Sequence, residues 1–185
     1  MQMKKNNWDT KGSKLIHENP YMRIVEYDVV RPNGTRLPYY VLDREDYAVI
    51  VTLDNKLQTT LIGQYRYAIG EYTWEFPAGF ARSKTQLTNA KIELQEEAGI
   101  TASKWSKLGV LYAAPGHSRV RAHVFLAENL KYGASHPEPN EFVESKTIAI
   151  AQLSRMIKIN IIKDAPTICA YHLLEVYLEK RGISK

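Results

Sequence analysis

The chain is nearly devoid of cysteine. Cys169 stands alone among 185 residues, so no intramolecular disulfide can form and a small cross-linked secreted scaffold is excluded. Long apolar runs are also missing. The longest, such as Ala48-Val49-Ile50-Val51, fall far short of the roughly 20 residues that cross a bilayer. Residues 1–14 are polar and hold no apolar stretch of signal-peptide length. There is no internal repeat, no low-complexity tract, no long run of like charge and no alternation of aromatic and basic residues. The formal net charge of +5 is mild and spread along the chain, which suits an anionic small molecule better than a nucleic acid or a membrane surface. These absences give the expectation of a cytoplasmic protein with neither nucleic-acid nor membrane partner.

What remains is an ordinary globular composition, 44% hydrophobic and 24% charged, long enough to bury a core in one domain with a small N-terminal extension. Residues before about Pro20 read as a flexible lead-in. Tyr21 to Val30 is β-branched and aromatic and reads as a strand. Asn33-Gly34 marks a turn, and Leu37 to Leu42 is the return strand. Tyr47 to Leu53 and Leu57 to Tyr67 flank Asp54-Asn55 and read as a second hairpin. Further strands are expected at Thr73 to Phe76, Leu108 to Tyr112, Val120 to Leu126 and Phe142 to Ile150. Helices are expected over Gln86–Ala98, closed by Gly99 as a left-handed cap, over Ala151–Lys158, and over Pro166–Lys180 with proline in its first turn. Strands without a regular βαβ alternation, plus a central and a terminal helix, define a mixed α/β domain.

The helix Gln86–Ala98 carries the distinctive chemistry. Leu87, Ala90, Leu94 and Ala98 fall on one stripe that should face a core. Glu93, Glu96 and Glu97 lie three and four residues apart beside it. Like charges at that spacing cost a helix roughly 0.2–0.5 kcal/mol per pair, and they sit near its C-terminus, where the dipole disfavours negative charge. Taken alone, such a cluster reads as a solvated acidic face. A divalent cation would reverse the penalty, since magnesium takes hard oxygen ligands.

Context favours the cation. Glu75-Phe76-Pro77-Ala78-Gly79 precedes the helix, and Glu93-Leu94-Gln95-Glu96-Glu97-Ala98-Gly99-Ile100 ends it. Together they resemble the Nudix box, the strand–loop–helix motif G-x5-E-x7-R-E-U-x-E-E-x-G-U, with U aliphatic. Gln64-Tyr65-Arg66, Ala114-Pro115-Gly116-His117-Ser118, Val124-Phe125-Leu126-Ala127 and Asn140-Glu141-Phe142-Val143-Glu144 are similar to the ADP-ribose pyrophosphatase branch of that superfamily. So is the terminal helix after Asp164. Two departures stand out. The stretch from Gly79 to Glu93 is one residue short, with Lys84-Thr85 where the first box glutamate belongs, and Ile92 replaces the arginine before Glu93.

The resemblance implies an α/β/α Nudix sandwich with a mixed sheet over residues 45–185, and an N-terminal β extension over residues 1–44 that serves dimerisation. It implies Mg²⁺, with Mn²⁺ as the substitute, held by Glu93, Glu96, Glu97 and the backbone carbonyl of Ala78. Arg66 would bind substrate phosphate, and Glu75 would orient the loop or the substrate. Glu141 would be the catalytic base, with Glu138 the alternative. His117 and Arg119 would border the site, and Tyr72 and Trp74 would stack on a base or pack in a core or interface. The implied activity is hydrolysis of a nucleoside diphosphate sugar, foremost ADP-ribose to AMP and ribose 5-phosphate, by a homodimer. The departures at Lys84-Thr85 and Ile92 support a second reading: a nucleotide-binding Nudix-fold protein with weak hydrolysis or none.

Overall fold

The computed structural model describes residues 7–80, 85–136 and 142–183. The chain divides into two compact units, Met1–Glu45 with Ala114–Val120, and Asp46–Ala113 with Arg121–Lys185. Among the described residues, no helix is long and apolar enough to cross a membrane.

The first unit is a three-stranded antiparallel sheet of β1 (Asp9–Asn19), β2 (Met22–Val30) and β3 (Arg36–Asp43), in the order β1-β2-β3. The Asn33-Gly34 signal closes the β2–β3 hairpin: Gly34 sits at φ 84° and donates to Arg31 O at 2.9 Å, and Asn33 Oδ1 accepts from Thr35 N at 3.0 Å. The expected lead-in before Pro20 is instead the strand β1, paired along β2 through two register shifts. It is exposed along nearly its whole length, so its sequence carries no period-two apolar signal, and the backbone ladder with β2 organises it. Among the described residues of this unit only Val29 is buried, while Leu15, Ile16 and Tyr40 are exposed.

The second unit has two sheets. One runs β7 (Ala78–Phe80), β4 (Tyr47–Leu53), β9 (Arg121–Tyr132), β8 (Ile100–Tyr112). It is mixed, because β4 and β9 are parallel and the other pairs antiparallel. The other runs β10 (Val143–Ala149), β5 (Gln58–Arg66), β6 (Glu71–Glu75). The three helices are α1 (Gln86–Ala98), α2 (Ile150–Lys158) and α3 (Ala165–Lys180).

Side chains alternate along a strand, and the central pair β4 and β9 uses both faces, as parallel strands buried on both sides do. Ala48, Ile50, Phe125 and Ala127 pack with Ala90 and Leu94 of α1. Val49, Val51, Val124 and Leu126 pack with Ala170, Leu174 and Leu178 of α3. The result is the expected α/β/α sandwich. Leu61 and Ile148 bring the second sheet into the α3 cluster.

Two strand expectations change. Tyr47–Leu53 and Leu57–Tyr67 do not form a hairpin with each other; β4 and β5 belong to different sheets. At their divergence the buried Thr52 hydroxyl accepts from Thr60 N at 2.7 Å, so a side chain takes the place of a ladder bond. The strands β8 and β9 also run several residues beyond the expected ends. The first half of β8 is polar because β8 is an edge strand, which hides it from an apolar pattern. All three helices form where expected, α2 and α3 each starting one residue earlier.

Leu94 is fully buried between α1 and the mixed sheet. Leu94→Ala should lower unfolding free energy by about 2–5 kcal/mol, read from urea denaturation midpoints at constant slope. A loss under about 1 kcal/mol, the scale of an exposed site, would contradict this packing.

Candidate active site

Helix α1 begins at Thr85, whose hydroxyl accepts from Thr88 N at 3.1 Å, and ends at Gly99 with φ 65°. Its buried positions are not the expected stripe. Ala90 and Leu94 are buried, but so are Asn89, Glu93 and Glu97, whereas Leu87 and Ala98 are only half-buried. Glu93 is 4% exposed and Glu97 6%. Two carboxylates one turn apart are therefore largely out of water, which rules out a simple solvated acidic face. Glu96 is half-buried beside them.

The loop that follows β6 explains how this is achieved. A Cβ placed on Gly79 would overlap the carboxyl carbon of Glu93 and both its oxygens. Glycine is thus required so that the backbone can lie against that carboxylate. One residue earlier, Ala78 N donates to Glu97 Oε2 at 3.2 Å. The segment is pinned on its other side by Pro77 O, which accepts from Ile50 N at 2.9 Å.

Arg66, at the end of β5, and Glu75, at the end of β6, form a forked ion pair: Nε to Oε1 at 3.0 Å and Nη2 to Oε2 at 2.5 Å. Thr73 Oγ1 adds a hydrogen bond to Glu75 Oε1 at 2.6 Å. Glu75 is 6% exposed. Its burial would raise its pKa, yet the hydrogen bonds from Arg66 and Thr73 and the guanidinium charge outweigh burial and leave it below the ordinary value. The pair holds the Arg66 pKa above normal through the Glu75 hydrogen bond, against desolvation, and the charges of Asp164 and Glu97 add to it. That coupling puts Arg66 in the same electrostatic neighbourhood as α1. The pairing uses two of five guanidinium donors, and the Arg66 side chain keeps 44% of its exposure.

Two further members were not expected. Burial, then the charges of Asp164 and Glu75, push Tyr47 up to about 12. Asp164, the N-cap of α3, is raised by burial against the hydrogen bonds it accepts from Thr167, and the Glu75 charge raises it further. Neither residue lies in the box, and only the folded sheet brings them to Arg66.

Tyr72 and Trp74 make an edge-to-face pair, with centroids 5.9 Å apart. They alternate along β6 with Thr73 and Glu75, so they occupy the face of the sheet opposite the Arg66–Glu75 pair. Tyr72 bonds Glu144, and Lys146 lies 5.7 Å over the Trp74 ring. His117 and Arg119 belong to the first unit, where His117 O accepts from Leu42 N and Arg119 bonds the Tyr27 hydroxyl at 2.8 Å. His123 is a strand residue, 3.1 Å from Asp46. Glu138 and Glu141 lie outside the described residues; His136, just before them, donates its backbone N–H to Glu96 O at 2.9 Å.

The donor chemistry suits a hard divalent cation, which takes one or two carboxylates together with waters and phosphate oxygens. Two buried carboxylates against a loop backbone provide that set. Among the described residues, no group of three acidic, histidine or cysteine side chains could hold a metal ion by itself.

Residues 43–170 match the NUDIX domain, and residues 8–42 match the nucleoside diphosphate sugar hydrolase N-terminal domain. The chain belongs to the Nudix family. It is similar to the ADP-ribose pyrophosphatase of Mycobacterium tuberculosis, 32% identical over 132 residues that make up 70% of this chain and 63% of that protein. It is also similar to the ADP-ribose pyrophosphatase of Bacillus subtilis, 25% identical over 94% of this chain and 96% of that one. The GDP-mannose pyrophosphatase of Cronobacter sakazakii is 28% identical over 92% and 94%. A crystal structure of an ADP compounds hydrolase aligns with a TM-score of 0.85 at 17% identity, covering 98% of this chain and 100% of the other, and attests the Nudix fold. Within the family the chain is similar to hydrolases of the ADP-ribose and nucleoside diphosphate sugar pyrophosphatase type. Nudix hydrolases generally use a divalent metal. Of the two departures from the Nudix box, Thr85 is spent on capping α1, and Ile92 is 36% exposed.

The Glu75 pair sets an acid-side prediction. Its folded pKa is depressed, so its stabilisation is full above the ordinary value of 4.5 and is lost as pH falls through the lowered value. Asp164 has the opposite sign: raised from 3.8, it favours the fold below that value and loses this as pH rises through the raised one. The gap in urea midpoint between the parent and Glu75→Gln should therefore be widest above pH 4.5 and shrink below it. A gap independent of pH would contradict an ionised Glu75.

Proposed function

We propose that this Nudix protein is a Mg²⁺-dependent pyrophosphohydrolase, and that ADP-ribose is its substrate, cleaved to AMP and ribose 5-phosphate. The observation that carries the proposal is the burial of Glu93 and Glu97 against the Ala78–Gly79 backbone. Two carboxylates so placed repel each other when ionised, and a divalent cation between them offsets that repulsion. A cation site gives them a reason to be there. The names of the relatives, which act on ADP-ribose and GDP-mannose, support the substrate class.

In this reading Glu93 and Glu97 hold the ion, Glu96 ligates or supports it, and the Ala78 carbonyl completes the set. When bound, the metal supplies charge neutralisation of the pyrophosphate and a more acidic water. Arg66 offers its remaining donors to a phosphate oxygen, and Glu75 fixes the plane of its guanidinium. Glu141 takes the proton from the attacking water. The water oxygen bonds to one phosphorus, the bridging P–O bond breaks, and the leaving phosphate keeps its electron pair. Mn²⁺ is expected to substitute.

The second reading, a nucleotide-binding protein with weak turnover or none, draws on Thr85 and Ile92. One assay separates the two: ADP-ribose and GDP-mannose with Mg²⁺, following mononucleotide release. The parent should turn over, and Glu97→Gln should fall by roughly 10²–10³-fold, the scale for losing one group that stabilises a transition state. Parent turnover no greater than that of Glu97→Gln would favour the binding protein.

A cytoplasmic homodimer is part of the same proposal. The single cysteine supports the reducing compartment. The first unit supports the dimer, since its sheet buries little and exposes Leu15, Ile16, Met22 and Tyr40. Sedimentation at micromolar concentration should give twice the mass of one chain; a monomer would overturn this part.

A further inference from the structure

The box and its neighbours leave α3 without a role in the chemistry, yet α3 reaches the same loop. Asp164 caps the helix, and its Oδ2 accepts from Thr167 N at 2.8 Å. Thr167 is 1% exposed. Its hydroxyl oxygen accepts from Phe76 N at 3.0 Å. Phe76 stands between Glu75, which grips Arg66, and Pro77-Ala78, which lead to the carboxylates.

The segment is thereby held at four successive residues by four different elements. Glu75 binds Arg66 of β5, and Phe76 N binds Thr167 of α3. Pro77 O binds Ile50 of β4, and Ala78 N binds Glu97 of α1. Proline cannot donate. The Phe76 and Ala78 N–H groups are thus the consecutive donors of this turn, and one is committed to α3 while the other is committed to the acidic helix.

We propose that Thr167 is a positioning residue for the hydrolase site, with Asp164 fixing it in turn. By accepting the Phe76 N–H, the Thr167 hydroxyl sets the height of the loop over α1, and so sets where the Ala78 backbone and the Gly79 cradle meet Glu97 and Glu93. Thr167 touches neither substrate nor metal in this role. The inference rests on the function proposed above.

The test uses three variants of the full chain. Thr167→Val removes the acceptor at nearly constant volume, and Thr167→Ser restores it. Leu178→Ala removes core volume from the same helix, where Leu178 is fully buried, and leaves Thr167 untouched. Mn²⁺ affinity is measured by calorimetry without substrate, kcat on ADP-ribose with Mg²⁺, and stability by urea denaturation. Thr167→Val should lose about 10- to 100-fold in both Mn²⁺ affinity and kcat, the range for groups that orient metal ligands. Thr167→Ser and Leu178→Ala should each stay within about threefold of the parent in both, although Leu178→Ala loses stability. If Thr167→Val loses no more than Leu178→Ala, the role is packing and the proposal fails. If the parent chain itself neither binds Mn²⁺ nor hydrolyses ADP-ribose, the function proposed above fails and the positioning role with it, an outcome distinguished by appearing before any substitution.

Discussion

Glu93 and Glu97 lie side by side on one turn of helix with almost no access to water. Ionised carboxylates taken out of water cost several kcal/mol each unless hydrogen bonds or counter-charge compensate, and these two also repel each other. Much of the surrounding design answers that constraint. The loop from Glu75 to Gly79 brings backbone onto the helix at the points where the carboxylates emerge, with an N–H to Glu97 and a glycine against Glu93. The mixed sheet behind it fixes where β4 and β7 pair and so where that loop can run. The Arg66–Glu75 pair brings a guanidinium charge close enough to couple to Glu97.

The pleat of the second sheet sorts this chemistry by face. Arg66, Thr73 and Glu75 meet on one side, joined by hydrogen bonds to the Glu75 carboxylate. Tyr72 and Trp74 meet on the other, with Glu144 and Lys146. A base stacked on that aromatic pair would lie across the sheet from the ion pair. This separation follows from period-two alternation alone.

The acidic helix was legible to the residue, because Gly99 supplies an unambiguous stop and apolar spacing sets the length. The mixed α/β class was legible in strand-rich segments without a regular βαβ alternation, whereas the parallel pairing of β4 with β9 was not. β1 was not, since it is exposed along nearly its whole length and shows no apolar alternation. The β4–β5 connection looked like a hairpin because turn chemistry is local, whereas the choice of sheet is made by partners distant in sequence. At the candidate site, Arg66, Glu75 and the box glutamates were expected from the resemblance, but the burial of Glu93 and Glu97 was not: helical spacing placed them beside the apolar stripe, and the Ala78–Gly79 backbone comes against them only in the fold. Tyr47, Asp164 and Thr167 carry no motif. Their positions arise from the docking of α3 and β4 around the loop, which is tertiary information.

The central claim is that Glu93, Glu97 and the Ala78 backbone form one cation site that faces the substrate pyrophosphate. Its most direct test is anomalous diffraction from crystals grown with Mn²⁺ and a non-hydrolysable ADP-ribose analogue. The crystals should show a manganese peak coordinated by Glu93 or Glu97, with a pyrophosphate oxygen as a further ligand and Arg66 on the same diphosphate. Manganese bound only elsewhere, or an analogue bound away from this loop with Glu93 and Glu97 carrying no ion, would contradict it.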